Sequence, residues 1–334
     1  MALNRGWTYH DRVMPRDAGV AISAFYATRY AHSPVEVWRR RLQAGELSRN
    51  GLACHQDCRL ERGDQLAWRR PPWQEPEVPL RFEVIHDDGD LLVVNKPSGL
   101  PVMPAGGFLE HTLLHRLTLS EPDQPPRPVH RLGRGSSGLV VCARQASTRS
   151  WLSAALRDST ATLARTADPS GARCTKTYRA LVRAGVLPQQ GVMGTAIGMV
   201  PDPCCGHLWA ALATGLPSES RYELLERSPL GDLVTVTILS GRPHQIRIHM
   251  ARAGAPLVGD PLYAPGGGRR CGSTALPGDM GYQLHAHRLV LSAPAGTVPL
   301  SLEAPLPAGL RTHEERQEAG AATHGSAALE LDQA

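Results

Sequence analysis

Four prolines fall within residues 69–80, Arg69-Arg70-Pro71-Pro72-Trp73-Gln74-Glu75-Pro76-Glu77-Val78-Pro79-Leu80. No helix or central strand runs through such a stretch, because each proline lacks an amide donor and fixes its own φ. Residues 69–80 therefore read as a stiff, extended linker between two domains. A small domain is predicted over 19–68 and a larger one over 81–311. The polar N-terminus, 1–18, is expected to be flexible. The tail, 312–334, is rich in Ala, Glu and Gly without periodicity and is expected to be disordered.

In the first domain, Val20 to His32 has a helical pattern. Ser33-Pro34-Val35-Glu36 then reads as a second helix start, with Ser33 as cap, Pro34 at the first helical position and Glu36 closing a capping box. Gly45 ends that helix. Asn50-Gly51 is a hairpin signal. Arg39, Arg40, Arg41 and Arg49 suit contacts to phosphates, which position a nucleic acid without reading its sequence; a solvated helix face is the other reading.

The second domain alternates strand and helix patterns. Strands are expected at Phe82–Ile85, Leu91–Asn95, Lys176–Val182, Leu233–Ile238 and Leu284–Leu291. Helices are expected at Glu110–Leu119 and Thr148–Leu163. A further helix opens after Ser240, with Ile246, His249, Met250 and Ala253 as its apolar face and Gly254 as its stop.

The net charge is +5, which suits nucleic acid or another anionic partner. Of the 36 basic residues only Lys96 and Lys176 are lysines. The seven cysteines are odd in number and lack framework spacing, which favours free thiols in a reducing compartment. Cys54-His55 with Cys58, and Cys204-Cys205 with His207, do not form the paired arrays of a zinc site, so no metal is expected. No apolar run approaches the roughly 20 residues of a membrane span.

Residues 128–144 carry the strongest signal. Pro128-Val129-His130-Arg131-Leu132-Gly133-Arg134-Gly135-Ser136-Ser137-Gly138 is a polar turn that feeds the apolar run Leu139-Val140-Val141-Cys142-Ala143. On the residues alone this is either a site loop on a rigid strand or an ordinary surface loop. The stretch resembles the central motif of the RluA-type pseudouridine synthases, His-Arg-Leu-Asp-x-x-Thr/Ser-Ser-Gly. It matches at His130, Arg131, Leu132, Ser136, Ser137 and Gly138. It departs at Gly133, the position of the family's catalytic aspartate. Lys96-Pro97-Ser98-Gly99-Leu100 resembles the family's first motif, and Lys176-Thr177-Tyr178 its Lys-x-Tyr. The run from Gly241-Arg242-Pro243-His244-Gln245-Ile246-Arg247-Ile248-His249 to Gly259-Asp260-Pro261-Leu262-Tyr263 resembles the third. The Pro277-Gly278-Asp279-Met280-Gly281-Tyr282 insert and the Gly-Arg-Gly form are similar to the plant RNA pseudouridine synthase 5 branch. Residues 19–68 resemble a small RNA-binding domain of ribosomal protein S-four type.

The resemblance implies an α+β fold: a mixed, mostly antiparallel sheet with flanking helices, preceded by the small α+β domain. It implies a cofactor-free isomerase, acting as a monomer on a structured RNA (rRNA or tRNA) after the target uridine has left its stack. The compartment is cytoplasmic or, alternatively, organellar. In that reading Arg131 fills the vacated stack, Tyr178 lies against the base, and Arg247 pairs with the catalytic acid. His130, Lys96, Lys176, His244 and Gln245 join Arg131 in binding substrate. Should no other acid meet Arg247, it is expected to bind phosphate. Because Gly133 has no side chain, a catalytically inactive RNA-binding relative is the competing reading.

Overall fold

The computed structural model describes residues 3–30, 32–161, 174–238, 241–291 and 299–319, without the side chains of 157–161. The chain forms two compact units, dividing between Pro76 and Glu77.

The first unit contains β1 (Trp7–Arg12), α1 (Ile22–Arg29), α2 (Val35–Gln43), β2 (Leu47–Arg49), β3 (Leu52–Ala53) and β4 (Gln65–Arg70). Its antiparallel sheet runs β1-β4-β2-β3. The stretch expected to be a flexible terminus thus supplies an edge strand, held partly because Tyr9 stacks on Trp68 with ring centroids 4.9 Å apart. Asn50 and Gly51 take φ of 52° and 83°, the left-handed pair that a tight hairpin between β2 and β3 requires. Ser33 does not cap α2: the cap position falls on Pro34, which has no side-chain donor or acceptor. The Ser33 hydroxyl contacts His32 and Arg41 instead.

The proline-rich stretch is not a free linker. Arg69 and Arg70 belong to β4, and Asn4 bonds both Glu75 and the Trp73 backbone of its own unit. Val78, Leu80 and Phe82 pack on the core of the second unit.

The second unit contains β5 (Glu83–Asp87), β6 (Leu91–Lys96), α3 (Leu113–Ser120), β7 (Arg127–Pro128), β8 (Ser137–Ala143), α4 (Ala146–Ala161) and β9 (Cys174–Val182). After these come β10 (Gln190–Met193), β11 (Ile197–Asp202), β12 (Gly206–Ala211), β13 (Ser220–Ser228), β14 (Gly231–Ile238), α5 (Gln245–Arg252), β15 (Leu284–Leu291) and β16 (Leu300–Glu303). The main sheet runs β10-β13-β14-β9-β15-β8-β6-β5. Its pairings are antiparallel except the junction of β15 with β8, at His285 with Ser137 and Ala286 with Gly138. Gly138 has φ of 106°, and a Cβ there would lie 2.3 Å from the Ala286 carbonyl, so only glycine lets the strands meet.

Alternation along the strands divides the core. Val94, Val140, Tyr178 and Val236 join Ile246 and Met250 of α5 on one face. Val93, Val141 and Leu289 join Leu152 and Leu156 of α4 on the other. Expected as an amphipathic helix, α5 is buried from Gln245 through Ala251. Its polar side chains tolerate this because each is paired: His249 with Ser220, and Gln245 with the Glu219 carbonyl and Ser220. The tail is also partly ordered. Residues 313–319 are helical, and Glu315 takes both ends of the Arg179 guanidinium at 2.9 Å. The loop expected around Asp168 and Ser170, Ser240, and the tail beyond 319 lie outside the described residues. No helix among the described residues is long and apolar enough to cross a membrane.

Candidate active site

A cavity of 660 Å³ opens where the 131–136 turn, β9 and the start of α5 converge. Its wall brings together Arg131, Gly133, Tyr178, His244, Gln245 and Arg247. Lys96, Lys176 and His130 do not line it.

The turn is held from below. Lys96 is fully buried, and its ammonium donates to the carbonyls of Pro97, Leu100 and Arg134 at 2.9, 2.8 and 3.3 Å. Ser98 donates to the Gly135 carbonyl, and Gly99 N–H to the Arg134 carbonyl. Gly99 sits at φ of 99°. The Lys-Pro-x-Gly-Leu sequence is thus a clamp under the central turn. Burial, and secondarily the Arg134 charge, push the Lys96 amine down to about 7.

His130 faces away from the cavity as well. Its Nε2 accepts from the Val141 N–H at 3.0 Å, tying the turn to β8. Burial, then the nearby Lys176 charge, push it down to about 3, so the ring stays a neutral acceptor. Lys176 projects from the same face of β9 as Tyr178, and burial lowers its pKa. Arg131 is exposed, with no hydrogen bond or ion pair among the described residues.

Arg247 is 2% exposed. Its Nε and Nη2 donate to the two oxygens of Asp260 at 2.7 and 2.8 Å, and Nη1 reaches the Pro277 carbonyl at 3.3 Å. The guanidinium carbon lies 4.1 Å from the Tyr282 ring centre. Arg247 is therefore not left over to bind phosphate. Asp260 also accepts from the amides of Leu262 and Tyr263. Burial alone would raise its pKa, but Arg247 and these amides outweigh it and hold the carboxyl below its ordinary range. Asp260 is absent from the cavity wall.

His244 begins α5 in a left-handed conformation, φ 56°. The Tyr263 hydroxyl donates to the Trp209 carbonyl at 2.7 Å, so it accepts from His244 Nδ1 at 2.8 Å. The proton therefore sits on Nδ1. Burial, then Arg247, pushes this ring down to about 3, and it remains neutral.

Two wall residues escaped the sequence reading of roles. Tyr282, carried on the segment before β15, sets its hydroxyl against Gly133 and its ring against Gly135. Asp279, in the same segment, lies at the wall and accepts from the Leu276 N–H at 2.8 Å. Arg134 joins this segment to the turn through the Gly278 carbonyl. The unusual insert was visible in the sequence, but nothing local indicated that it returns to a turn so distant along the chain.

In the first unit, Arg39 and Arg40 are exposed. Arg41 lies over the rings of Trp38 and Trp68, at 4.4 and 4.6 Å. Arg49 is paired with Asp64 and Glu61.

The sequence profile of the family described as RNA pseudouridylate synthase matches residues 90–252. An uncharacterized RNA pseudouridine synthase of Synechocystis sp. is 40% identical over 290 residues, covering 87% of this chain and 95% of that protein. This chain belongs to the RNA pseudouridine synthase family. The synthase is also 38% identical to RNA pseudouridine synthase 5 of Oryza sativa subsp. japonica, over 94% of this chain and 90% of the rice protein. It shares its fold with human RNA pseudouridylate synthase domain containing 1, with a TM-score of 0.50 at 24% identity over 70% of this chain and 87% of that one. The synthase isomerises uridine in RNA: the bond from ribose C1′ to uracil N1 is exchanged for one to C5.

Proposed function

We propose that the synthase acts on uridine in a structured RNA, ribosomal or transfer, after the nucleotide has been flipped from its stack. The observation that carries this reading is one cavity wall bearing Arg131, Tyr178 and Arg247 around the Gly133 turn. Arg131, unpaired and planar, fills the gap left by the base and meets phosphate. Tyr178 offers a flat face to the uracil. His244 and Gln245 edge the same space, Lys96 and His130 support it from behind, and Lys176 lies on the same face of β9 as Tyr178. Arg247 holds its side of the pocket rigid through Asp260. The first unit, two helices with an antiparallel sheet, supports the S-four-like reading, with exposed Arg39 and Arg40 as its phosphate contacts. The chain works as a monomer without a cofactor, in the cytoplasm or in an organelle.

The test uses unmodified ribosomal and transfer RNA transcripts carrying tritium at uridine C5. Incubation with the full chain is expected to release tritium as C5 loses its hydrogen. The bare backbone at Gly133 favours one second reading, an RNA-binding relative without chemistry. Tight RNA binding with no release from either transcript would establish that reading.

A further inference from the structure

The isomerisation can pass through a covalent intermediate in which a protein group holds the ribose carbon while the uracil turns. Gly133 supplies none. Among the acids near the cavity, Asp260 is held on four sides by Arg247 and two amides. Asp279 caps the Leu276 amide, faces Arg134 at 3.9 Å and is 43% exposed at the rim. Neither is free and sheltered.

The Tyr282 hydroxyl is placed differently. A Cβ on residue 133 would lie 2.8 Å from the Tyr282 oxygen, and its only other neighbour within 4 Å would be the Ser136 hydroxyl, at 3.7 Å. A side chain at 133 and the phenol oxygen at 282 are thus alternative occupants of one place in the cavity wall. Gly135 completes the seat: a Cβ there would meet the Tyr282 ring at 2.9 Å. Ser136 donates to the Tyr282 oxygen at 3.5 Å, and the Arg247 cation lies over the ring face. Both steady negative charge as it grows on that oxygen.

We infer that Tyr282 is the catalytic residue of this synthase, its phenol oxygen acting from the place that a side chain at position 133 would otherwise fill. The inference rests on the proposed cavity function. In the first step the Tyr282 oxygen bonds to C1′ as the C1′–N1 bond breaks. That bond's electron pair leaves on the uracil, which takes the phenol proton. In the second step, after the uracil has turned, C5 bonds to C1′ and the C1′–O bond to Tyr282 breaks. The hydrogen on C5 returns to the tyrosine oxygen. Nothing is consumed, and the product is an isomer of the substrate. Tyrosine serves as the nucleophile on a sugar carbon in sialidases, so the chemistry is within its reach.

The test compares the full chain with Tyr282→Phe and with Gly133→Asp/Tyr282→Phe in the tritium-release assay. RNA affinity and urea unfolding are measured on each. Tyr282→Phe keeps the ring over Arg247 and removes only the oxygen. It is expected to lose about 100-fold or more in rate, with unchanged RNA affinity and stability. In the double variant the phenylalanine leaves room for the aspartate, and at least tenfold of the loss is expected to return. Activity of Tyr282→Phe within threefold of the unaltered chain would overturn the assignment. So would a loss of rate matched by an equal loss of RNA affinity, or a double variant as inactive as Tyr282→Phe. An unaltered chain that binds RNA and releases no tritium would instead overturn the proposed function.

Discussion

Arg247 and Asp260 meet as a two-pronged ion pair, each nearly sealed from solvent, with both carboxylate oxygens engaged. One group could not be buried alone, since a lone charge out of water costs several kcal/mol. Asp260→Ala is therefore expected to destabilise the second unit by about 3–5 kcal/mol in urea unfolding, the range for breaking a buried pair. Tritium release should fall with it, because Arg247 would no longer be fixed at the cavity wall.

Gly133→Asp alone should restore no acid to the site. Its Cβ meets the Tyr282 oxygen at 2.8 Å, and overpacking of this kind costs about 1–3 kcal/mol. The expected result is a lower urea midpoint and no gain in tritium release. A faster enzyme would show that Tyr282 swings aside freely.

Lys96→Met should loosen the turn. The Pro97 and Leu100 carbonyls lose their donor, while the Arg134 carbonyl keeps the Gly99 N–H; each unsatisfied buried acceptor costs about 1–3 kcal/mol. The variant is expected to unfold earlier in urea and to expose the 133–136 amides to hydrogen exchange.

Arg131→Ala should do the opposite. The side chain is exposed and unpaired among the described residues, so stability should stay within about 0.5 kcal/mol. RNA affinity should drop, and the slope of log affinity against log salt should shrink by about 1.

Acid should weaken the fold before the carboxylates titrate. Burial is the main cause that pushes His130 and His244 down to about 3 and His285 to about 4. In the unfolded chain the same rings take protons near 6.5. Over that window the unfolded state binds more protons, so stability is lost as pH falls from about 6.5 toward 4. Urea midpoints at pH 7, 6 and 5 should fall in that order.

The sequence was most legible where a period or a turn residue acts locally. The buried runs at Leu91, Leu139, Leu233 and Leu284 are strands, and Asn50-Gly51 is a hairpin. The strands from Gln190 to Ser228 went unread, since they are half exposed and lack the continuous apolar runs of the core strands. At the candidate site, resemblance to the family's motifs singled out Arg131, Tyr178 and Arg247, which line one cavity. It could not distinguish Lys96 and His130 as supports from residues that face the cavity, because their partners are backbone groups. Nor could it place Tyr282 against Gly133, a contact made only by the closed sheet.

That closure depends on β15. It lies between β9 and β8, and its neighbours otherwise belong to two separate ribbons, β5-β6-β8 and β9-β14-β13-β10. During synthesis both ribbons can leave the ribosome before the strand that joins them. Until residues 284–291 emerge, one edge of β9, and the start of β8 at Ser137 and Gly138, lack the strand that pairs with them. Because Tyr282 precedes β15 directly, the pocket gains its hydroxyl only as those edges are covered.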